Sequence, residues 1–417
     1  MTIEARQILI NRIDPGSPAD GLLQQGDLIL GIDGKPFAED ARKALGRAID
    51  EAEKSENKGE LHLIRWRPRP DATPRMGDTE NITLRLPVLG AFSDTAPFDC
   101  PKSTKIMDAA LKQLAADPKM GHLEPLAFLA SGKPEYIELV RKHIHEAKWA
   151  RPDLNISLKS GGLIAWGCGF RNMILTEYYL LTGDDYVLPA IREYSIKISM
   201  GQSDAGTWGH GFAWTSRNKG QLHGNLGGYG AVNLAGLHCL VSLVLAQKCG
   251  VSHPEIDQAI AKAQHFFEQF VGRGSIGYGF HQPSLEQYNN GRNGHSSNGK
   301  NSVAAMAFSL LGHQPATTYF SKLVTSSYDE REYGHSGNSF NIFWGPLGAN
   351  FGGPKAAAAF HREMRWYHAL LRQADGSFSH QPLGGYYGRM TLNPTAGQAL
   401  LAALPLRKLY ITGKGLD

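Results

Sequence analysis

GAVNLAGLHCLVSLVLAQKCG, residues 230–250, is a long run of mostly apolar residues that predicts a buried helix. Other stretches after residue 102 also have a helical pattern, with apolar residues recurring at spacings of three and four, as in Ile256, Ile260, Ala263 and Phe267. These stretches are residues 103–117, 134–150, 171–183, 186–200, 255–271, 301–312 and 356–373. Few alternating strands interrupt them, so this part of the chain is predicted to be mainly α.

The connections between these helices share a composition. Several contain glycines, an aromatic residue and a histidine, and the histidines are 45 to 71 positions apart. That spacing fits two helices and a variable loop in each repeat. The sequence therefore predicts that these corners lie around one rim. The four corners are GTWGHGF (206–212), SIGYGFHQP (275–283), REYGHSGNSF (331–340) and DGSFSHQP (375–382).

The N-terminal residues have a different pattern, that of a small mixed α/β unit. Strands are predicted at 6–13, 27–37, 61–68 and 81–89, with a tight turn at Asp33 and Gly34 and a helix at 38–54. The string GSPADGLLQQGDLILGIDGKPF, residues 16–37, resembles the bacterial type of PDZ domain. The resemblance implies a peptide ligand beside an exposed strand. Only MTIEA precedes the first strand, so we expect the unit to lack its N-terminal strand and carboxylate-binding loop.

Helical repeats with such corners resemble the α/α toroids of terpenoid cyclases, protein prenyltransferases and several polysaccharide lyases. The whole chain resembles an uncharacterised bacterial family that joins a PDZ-like unit to a toroid. Four segments carry this resemblance: 207–212, 226–237, 334–344 and 404–415. The expected organisation is a PDZ-like domain at 1–90, a linker and first helix at 91–125, and a toroid of about six helical hairpins at 126–417.

Composition excludes some partners. The formal net charge of +4 is small for 417 residues and no basic run is present, so nucleic acid is not an expected partner. No stretch is long and apolar enough to predict a membrane span. No signal peptide is visible, although a truncated precursor would hide one and would be extracytoplasmic. Four cysteines lack metal-finger spacing and are predicted to be buried free thiols: Cys100, Cys168, Cys239 and Cys249.

The corner residues favour a carbohydrate-active enzyme that acts on a polysaccharide or oligosaccharide. Cleavage of a uronate-containing glycan by β-elimination needs a base and a group that neutralises the carboxylate. We expect Tyr288 or Tyr333 as base or acid, and His210, His295, His335, Asn301 or Asn338 as neutralisers. Further substrate-binding candidates are Trp208, His281, Arg292, Asn341, Trp344 and His380. The alternative for each residue is a role in turns or in contacts between repeats.

Two other functions remain open at this stage. A glycoside hydrolase would need two carboxylates, for which Asp204 and Glu286 are the candidates. A non-catalytic scaffold that binds glycans or proteins would use the same rim for recognition. Terpenoid chemistry is disfavoured because the DxDD and DDxxD motifs are absent from the sequence.

No cofactor is predicted, and a divalent metal held by converging corner histidines is the alternative. Glu177 has apolar neighbours and is interpreted as either functional or paired with Arg171. The polar segment QYNNGRNGHSSNGKNS, residues 287–302, is predicted to form a structured loop on the rim. Asn301 or Ser302 would cap the helix that follows it.

Overall fold

The protein is mainly helical, with a small antiparallel sheet near its N-terminus. The computed structural model describes residues 5–69, 76–117, 120–158, 162–213, 226, 230–283, 299–328, 339–379 and 392–416. Within these ranges no helix is both long enough and apolar enough to cross a membrane.

The sheet has the strand order β1-β2-β4-β5, with β3 paired to β2, and every pairing is antiparallel. A helix, α1, connects β3 to β4. The predicted tight turn joins β2 to β3, where Asp33 and Gly34 both adopt positive φ angles, of 50° and 72°. The bounds are β1 (Ile8–Leu9), β2 (Leu28–Ile32), β3 (Lys35–Pro36), α1 (Ala41–Ala52), β4 (Glu60–Pro68) and β5 (Gly77–Arg85).

Twelve further helices follow in the described residues, and the helical stretches predicted from the sequence overlap them. The bounds are α2 (Pro101–Ala116), α3 (Glu124–Ser131), α4 (Pro134–Glu146), α5 (Ile164–Thr182), α6 (Leu188–Met200), α7 (Asn233–Lys248), α8 (Pro254–Glu268), α9 (Lys300–Leu310), α10 (Gln314–Thr325), α11 (Ser339–Asn350), α12 (Pro354–Leu371) and α13 (Pro394–Ala402). α9 begins after Gly299 rather than at a side-chain cap, so the prediction that Asn301 or Ser302 caps it was wrong.

Burial alternates along this series of helices. Every residue of α3 is buried, as are the residues of α7 from Asn233 to Ala246 and those of α9 from Lys300 to Phe308. By contrast, α4 buries only Val140 and Ile144. A helix that is apolar on all sides must be surrounded by protein, whereas an amphipathic one covers an outer surface.

The buried helices contact one another in chain order, and the last of them contacts the first. α3 packs against α5, α5 against α7, α7 against α9, α9 against α11, α11 against α13, and α13 against α3. Glycines allow close approach at these contacts. A Cβ on Gly169 of α5 would lie 3.2 Å from the backbone nitrogen of Cys239 on α7, and one on Gly348 of α11 would lie 2.5 Å from Cα of Ser302 on α9.

The N-terminal region and the helices have separate hydrophobic cores. The two regions are joined where α1 packs on α12. Their backbones come so close there that a Cβ on Gly46 would lie 2.2 Å from the carbonyl oxygen of Trp366. Beside this contact, Lys102 is only 1% exposed and pairs with Asp50 and Glu53. The four cysteines are buried and free, as predicted.

Candidate functional site

The histidine-containing corners occupy equivalent places in the chain. Residues 206–212 precede α7, residues 275–283 precede α9, residues 331–340 lead into α11, and residues 375–382 precede α13. Each corner thus comes before a helix of the buried series. Aromatic and imidazole rings from α5, α7, α11 and the first corner contact one another. We call them the aromatic cluster: Trp166, Phe170, His210, His238, Phe340 and Trp344.

Part of the cluster is partly exposed. Trp166 stacks on Phe340 with ring centroids 5.2 Å apart and planes 19° from parallel. Nε1 of Trp166 donates a hydrogen bond of 2.9 Å to Nδ1 of His210. Because an indole N–H can only donate, Nδ1 of His210 must be unprotonated and its ring proton lies on Nε2. His210 is therefore held as a neutral imidazole beside a flat aromatic surface.

The rest of the cluster is buried. His238 is 0% exposed and lies between Phe170 and Trp344, with centroid distances of 4.5 Å and 5.0 Å. Burial lowers the pKa of His238 to about 3, and the positive charge of nearby His122 lowers it further. The carbonyl of Leu234 opposes this shift in part.

Three polar atoms in this buried part lack partners among the described residues: both ring nitrogens of His238 and Nε1 of Trp344. The Leu234 carbonyl that influences His238 does not reach hydrogen-bonding geometry with it. Buried polar atoms are nearly always satisfied by protein or water, and an unpartnered one lowers stability. We infer that these buried rings serve as packing beside the partly exposed rings of the cluster.

Two predicted substrate-binding residues have structural roles. Trp208 is 0% exposed and its Nε1 donates to the carbonyl oxygen of Ile198 over 2.8 Å. Asn301 is also fully buried; it accepts from the backbone nitrogen of Ile276 and donates to Oγ of Ser275. Neither side chain presents a surface to a ligand in this conformation. Both instead hold corners against helices.

The other described candidates differ in exposure. His281 is exposed and its Nδ1 accepts from the backbone nitrogen of Gly279. Asp204 is exposed on a turn whose Gly206 lies against Lys262 of α8, whereas Asn341 and Trp344 are buried in α11. The remaining candidates lie outside the described residues: Glu286, Tyr288, Arg292, His295, Tyr333, His335, Asn338 and His380.

Glu177 has a different partner from the one considered in the sequence. Its carboxylate accepts hydrogen bonds from the backbone nitrogens of Tyr410 and Ile411, at 3.1 Å and 2.8 Å. Arg171 instead lies over the ring of Trp149, so the proposed pairing with Glu177 was wrong. Glu177 therefore anchors the C-terminal segment to α5.

No group of three or more His, Cys, Asp or Glu side chains in the described ranges could hold a metal ion. The described corner histidines, His210 and His281, do not form such a group.

Comparison with known families accounts for the helical part of the chain. Residues 103–413 match a family described as Domain of unknown function (DUF6288). The chain belongs to this family. No match was found among curated proteins or among solved structures. The DUF6288 match begins within α2 and extends beyond α13, so it includes the whole aromatic cluster.

Within the DUF6288 domain, sequence reasoning identified His210 and Trp344 but missed Trp166, Phe170, His238 and Phe340. Trp166 and Phe170 are one turn apart on α5, and so are Phe340 and Trp344 on α11. This spacing places each pair on one helix face and is the signal that could have been used. His238 lies in a mainly apolar part of α7 and has no local signal.

Proposed function

We propose that the DUF6288 domain is an α/α toroid of six helical hairpins. Two observations support this architecture. The contacts among α3, α5, α7, α9, α11 and α13 return from the last helix to the first. The helices between them include amphipathic ones, such as α4, that suit an outer layer. The corners would then lie at the end of the toroid where the inner helices begin.

We also propose that the N-terminal unit is PDZ-like and binds an extended peptide. Its sheet begins at β1, an edge strand, and Leu9 in this strand is 55% exposed. An edge strand with unpaired backbone groups can add a peptide as a further strand. The position of α1 after the β2–β3 hairpin supports the same assignment.

For the toroid we propose a carbohydrate-active function, with β-elimination on a uronate-containing glycan as the reaction. The observation that carries this proposal is the hydrogen bond from Trp166 to His210, at the edge of the Trp166–Phe340 stack. Flat aromatic surfaces bind the apolar faces of sugar rings, which also need polar groups at their edges. A neutral imidazole with its proton on Nε2 supplies such a donor.

In this reaction His210 would donate from Nε2 to the uronate carboxylate and stabilise the charge that develops when the proton on the adjacent carbon is removed. Tyr288 or Tyr333 would remove that proton as the base, or would act as the acid that protonates the departing glycosidic oxygen when its bond to the sugar ring breaks, and Arg292 would pair with the carboxylate. These three residues lie outside the described ranges, so their roles rest on the sequence alone.

The test is incubation of the purified protein with acidic and neutral polysaccharides. Unsaturated uronate absorbance and new reducing ends are measured in parallel. Both signals should rise on an acidic glycan. Trp166→Phe keeps the aromatic ring but removes the donor to His210, and it should lower activity by about 3- to 10-fold, the loss expected for one hydrogen bond. His210→Ala should lower it further.

His265→Ala provides the matched control, because His265 is exposed on α8, away from the aromatic cluster, and should leave activity unchanged. If reducing ends appear without the unsaturated product, the reaction is hydrolysis rather than elimination. Asp204 and Glu286 would then be the candidate catalytic carboxylates. No product from any glycan, together with glycan binding that His210→Ala abolishes, would identify a binding module instead. Equal activity in His210→Ala and His265→Ala would refute the role of His210.

A further inference from the structure

A cavity lies away from the aromatic cluster. It has a volume of about 730 Å³ and follows one face of α10, from Gln314 through Thr318 to Thr325. Its other walls are the beginning of α12 and the C-terminal segment around Tyr410. We call it the α10 groove. It adjoins the C-terminal residues of α7, α9 and α11, whereas Trp166 and Phe340 lie in the first turns of their helices.

The α10 groove is positively charged. Four cationic side chains line it, and no carboxylate is among its described lining residues. Lys248 and Lys414 lie over the ring of Tyr410, with Nζ 5.0 Å and 5.2 Å from the ring centroid. Lys322 is exposed on α10. Lys414 also interacts electrostatically with Glu177, which does not line the groove, and its Nζ donates to the Leu180 carbonyl oxygen. Cations brought together repel one another, and an anion in the groove would relieve that repulsion. The four are Lys248, Lys322, Arg407 and Lys414.

Hydrogen-bond donors supplement this charge. Ser321 is 2% exposed and lines the groove, and its Oγ has no hydrogen-bond partner among the described residues. α12 begins at the groove after Gly353, with no side-chain cap and no acidic residue in its first turn among the described residues, so the positive end of its dipole faces the groove. A buried hydroxyl and a helix N-terminus beside lysines are the groups that bind phosphate oxygens.

We propose that the α10 groove binds a small phosphorylated ligand that carries at least two negative charges. The cavity volume of about 730 Å³ lies within the range of pockets that bind small molecules. The cations are contributed by α7, α10 and the C-terminal segment, which favours more than one anionic group over a single phosphate ion. A bound ligand would contact α7, α10 and the C-terminal segment at once. Glu177 anchors the same segment to α5. The proposal does not depend on the reaction at the aromatic cluster.

Pyrophosphate is the probe, and calorimetric titration near neutral pH and physiological salt is the measurement. Inorganic phosphate and a nucleoside diphosphate are titrated in parallel. We expect pyrophosphate to bind more tightly than phosphate. Lys322→Ala and Ser321→Ala should each weaken pyrophosphate binding about 3- to 10-fold, as expected for the loss of one charge-assisted or neutral hydrogen bond. Tighter binding of the diphosphate would show that the groove also contacts a nucleoside.

Lys142→Ala is the matched control, because Lys142 is exposed on α4, which does not line the groove. This variant should bind pyrophosphate normally. His210→Ala should also bind it normally, which would show that binding in the groove does not depend on the reaction proposed for the aromatic cluster. Circular dichroism of each variant excludes unfolding as the cause of weaker binding. The proposal is overturned if pyrophosphate does not bind at millimolar concentration, or if Lys322→Ala and Ser321→Ala both bind it as tightly as Lys142→Ala.

Discussion

Nζ of Lys102 lies 2.6 Å from Oδ1 of Asp50, and this buried pair joins the helices to the N-terminal region. The same ammonium group lies 2.9 Å from Oε2 of Glu53 and 4.5 Å from the centroid of the Phe92 ring. Arg372 also pairs with Glu53. A buried charge is stable only with partners, so the two regions depend on each other at this point.

Lys102→Met should therefore lower the free energy of unfolding by about 3–5 kcal/mol, the range seen when one partner of a buried ion pair is removed. Asp50 and Glu53 would keep their arginine partners, Arg365 and Arg372, but lose the buried ammonium group between them. Chemical denaturation is the measurement. Lys105→Met on the same helix is the control, because Lys105 is exposed and should change stability by less than about 0.5 kcal/mol. Equal stability of the two variants would contradict the role of Lys102.

Gly46 provides a second test of the same junction. A Cβ at this position would overlap the carbonyl of Trp366, so Gly46→Ala should destabilise the protein by about 1–3 kcal/mol although alanine favours helices. A Cβ on Gly167 of α5 would meet no described heavy atom within 4 Å, and Gly167→Ala should stabilise the protein by about 0.5–1 kcal/mol. Melting temperatures of the two variants should move in opposite directions. A shift of both in the same direction would argue against the close packing of α1 on α12.

The local fold of this region could be predicted from the sequence, but the junction could not. The alternation of apolar residues and the Asp33–Gly34 turn are local signals, and they identified the strands and their hairpin. Asp50 and Lys102 have no local signal of burial in the sequence, because their pairing joins residues from two separate cores. The sequence contains no periodic pattern that reveals such a contact.

Stability should fall with rising pH through the titration of Glu177. Burial raises the pKa of this carboxyl group from 4.5 to about 7, and the hydrogen bonds from Ile411 and Tyr410 oppose the rise. Since the folded pKa is the higher one, the folded state holds more protons between these two values, and its stability decreases as pH rises through that window. Glu177→Gln should flatten the decrease measured by melting temperature.

Glu363→Gln, on an exposed face of α12, is the matched control for this titration and should leave the pH profile unchanged. If Glu177→Gln shows the same pH dependence as the unmodified protein, Glu177 does not control stability in this window.

Titration of His238 should make stability fall as pH decreases, which is the opposite of the effect of Glu177. Its pKa is lowered from 6.5 to about 3, so the unfolded state binds the extra proton between these values and stability is lost as pH falls through this window. His238→Leu replaces the titrating group with an apolar side chain of similar size. We expect this variant to lose less stability than the unmodified protein between neutral pH and pH ~4. Identical acid sensitivity in both would refute this account of the site.

The aromatic cluster was only partly predictable for a related reason. The Gly-rich corners and their histidines are visible in the sequence, and they pointed to His210. Whether a tryptophan in a corner faces a ligand or the core depends on packing, and Trp208 packs inward. His238 meets Trp344 only because α7 and α11 both belong to the buried series, although more than a hundred residues separate them in the chain.

The reactivity of the buried cysteines can report which part of the molecule unfolds locally. Burial raises the pKa of both Cys168 and Cys249 to about 12, which leaves almost no reactive thiolate at neutral pH. Cys100 differs: burial alone would raise its pKa, but the backbone N–H of Ser93, which donates to Sγ over 3.5 Å, and the neighbouring Ser103 lower it. It lies at the start of α2, beside the junction. The order in which alkylating reagents modify the thiols would therefore reveal whether the junction or the helices open first.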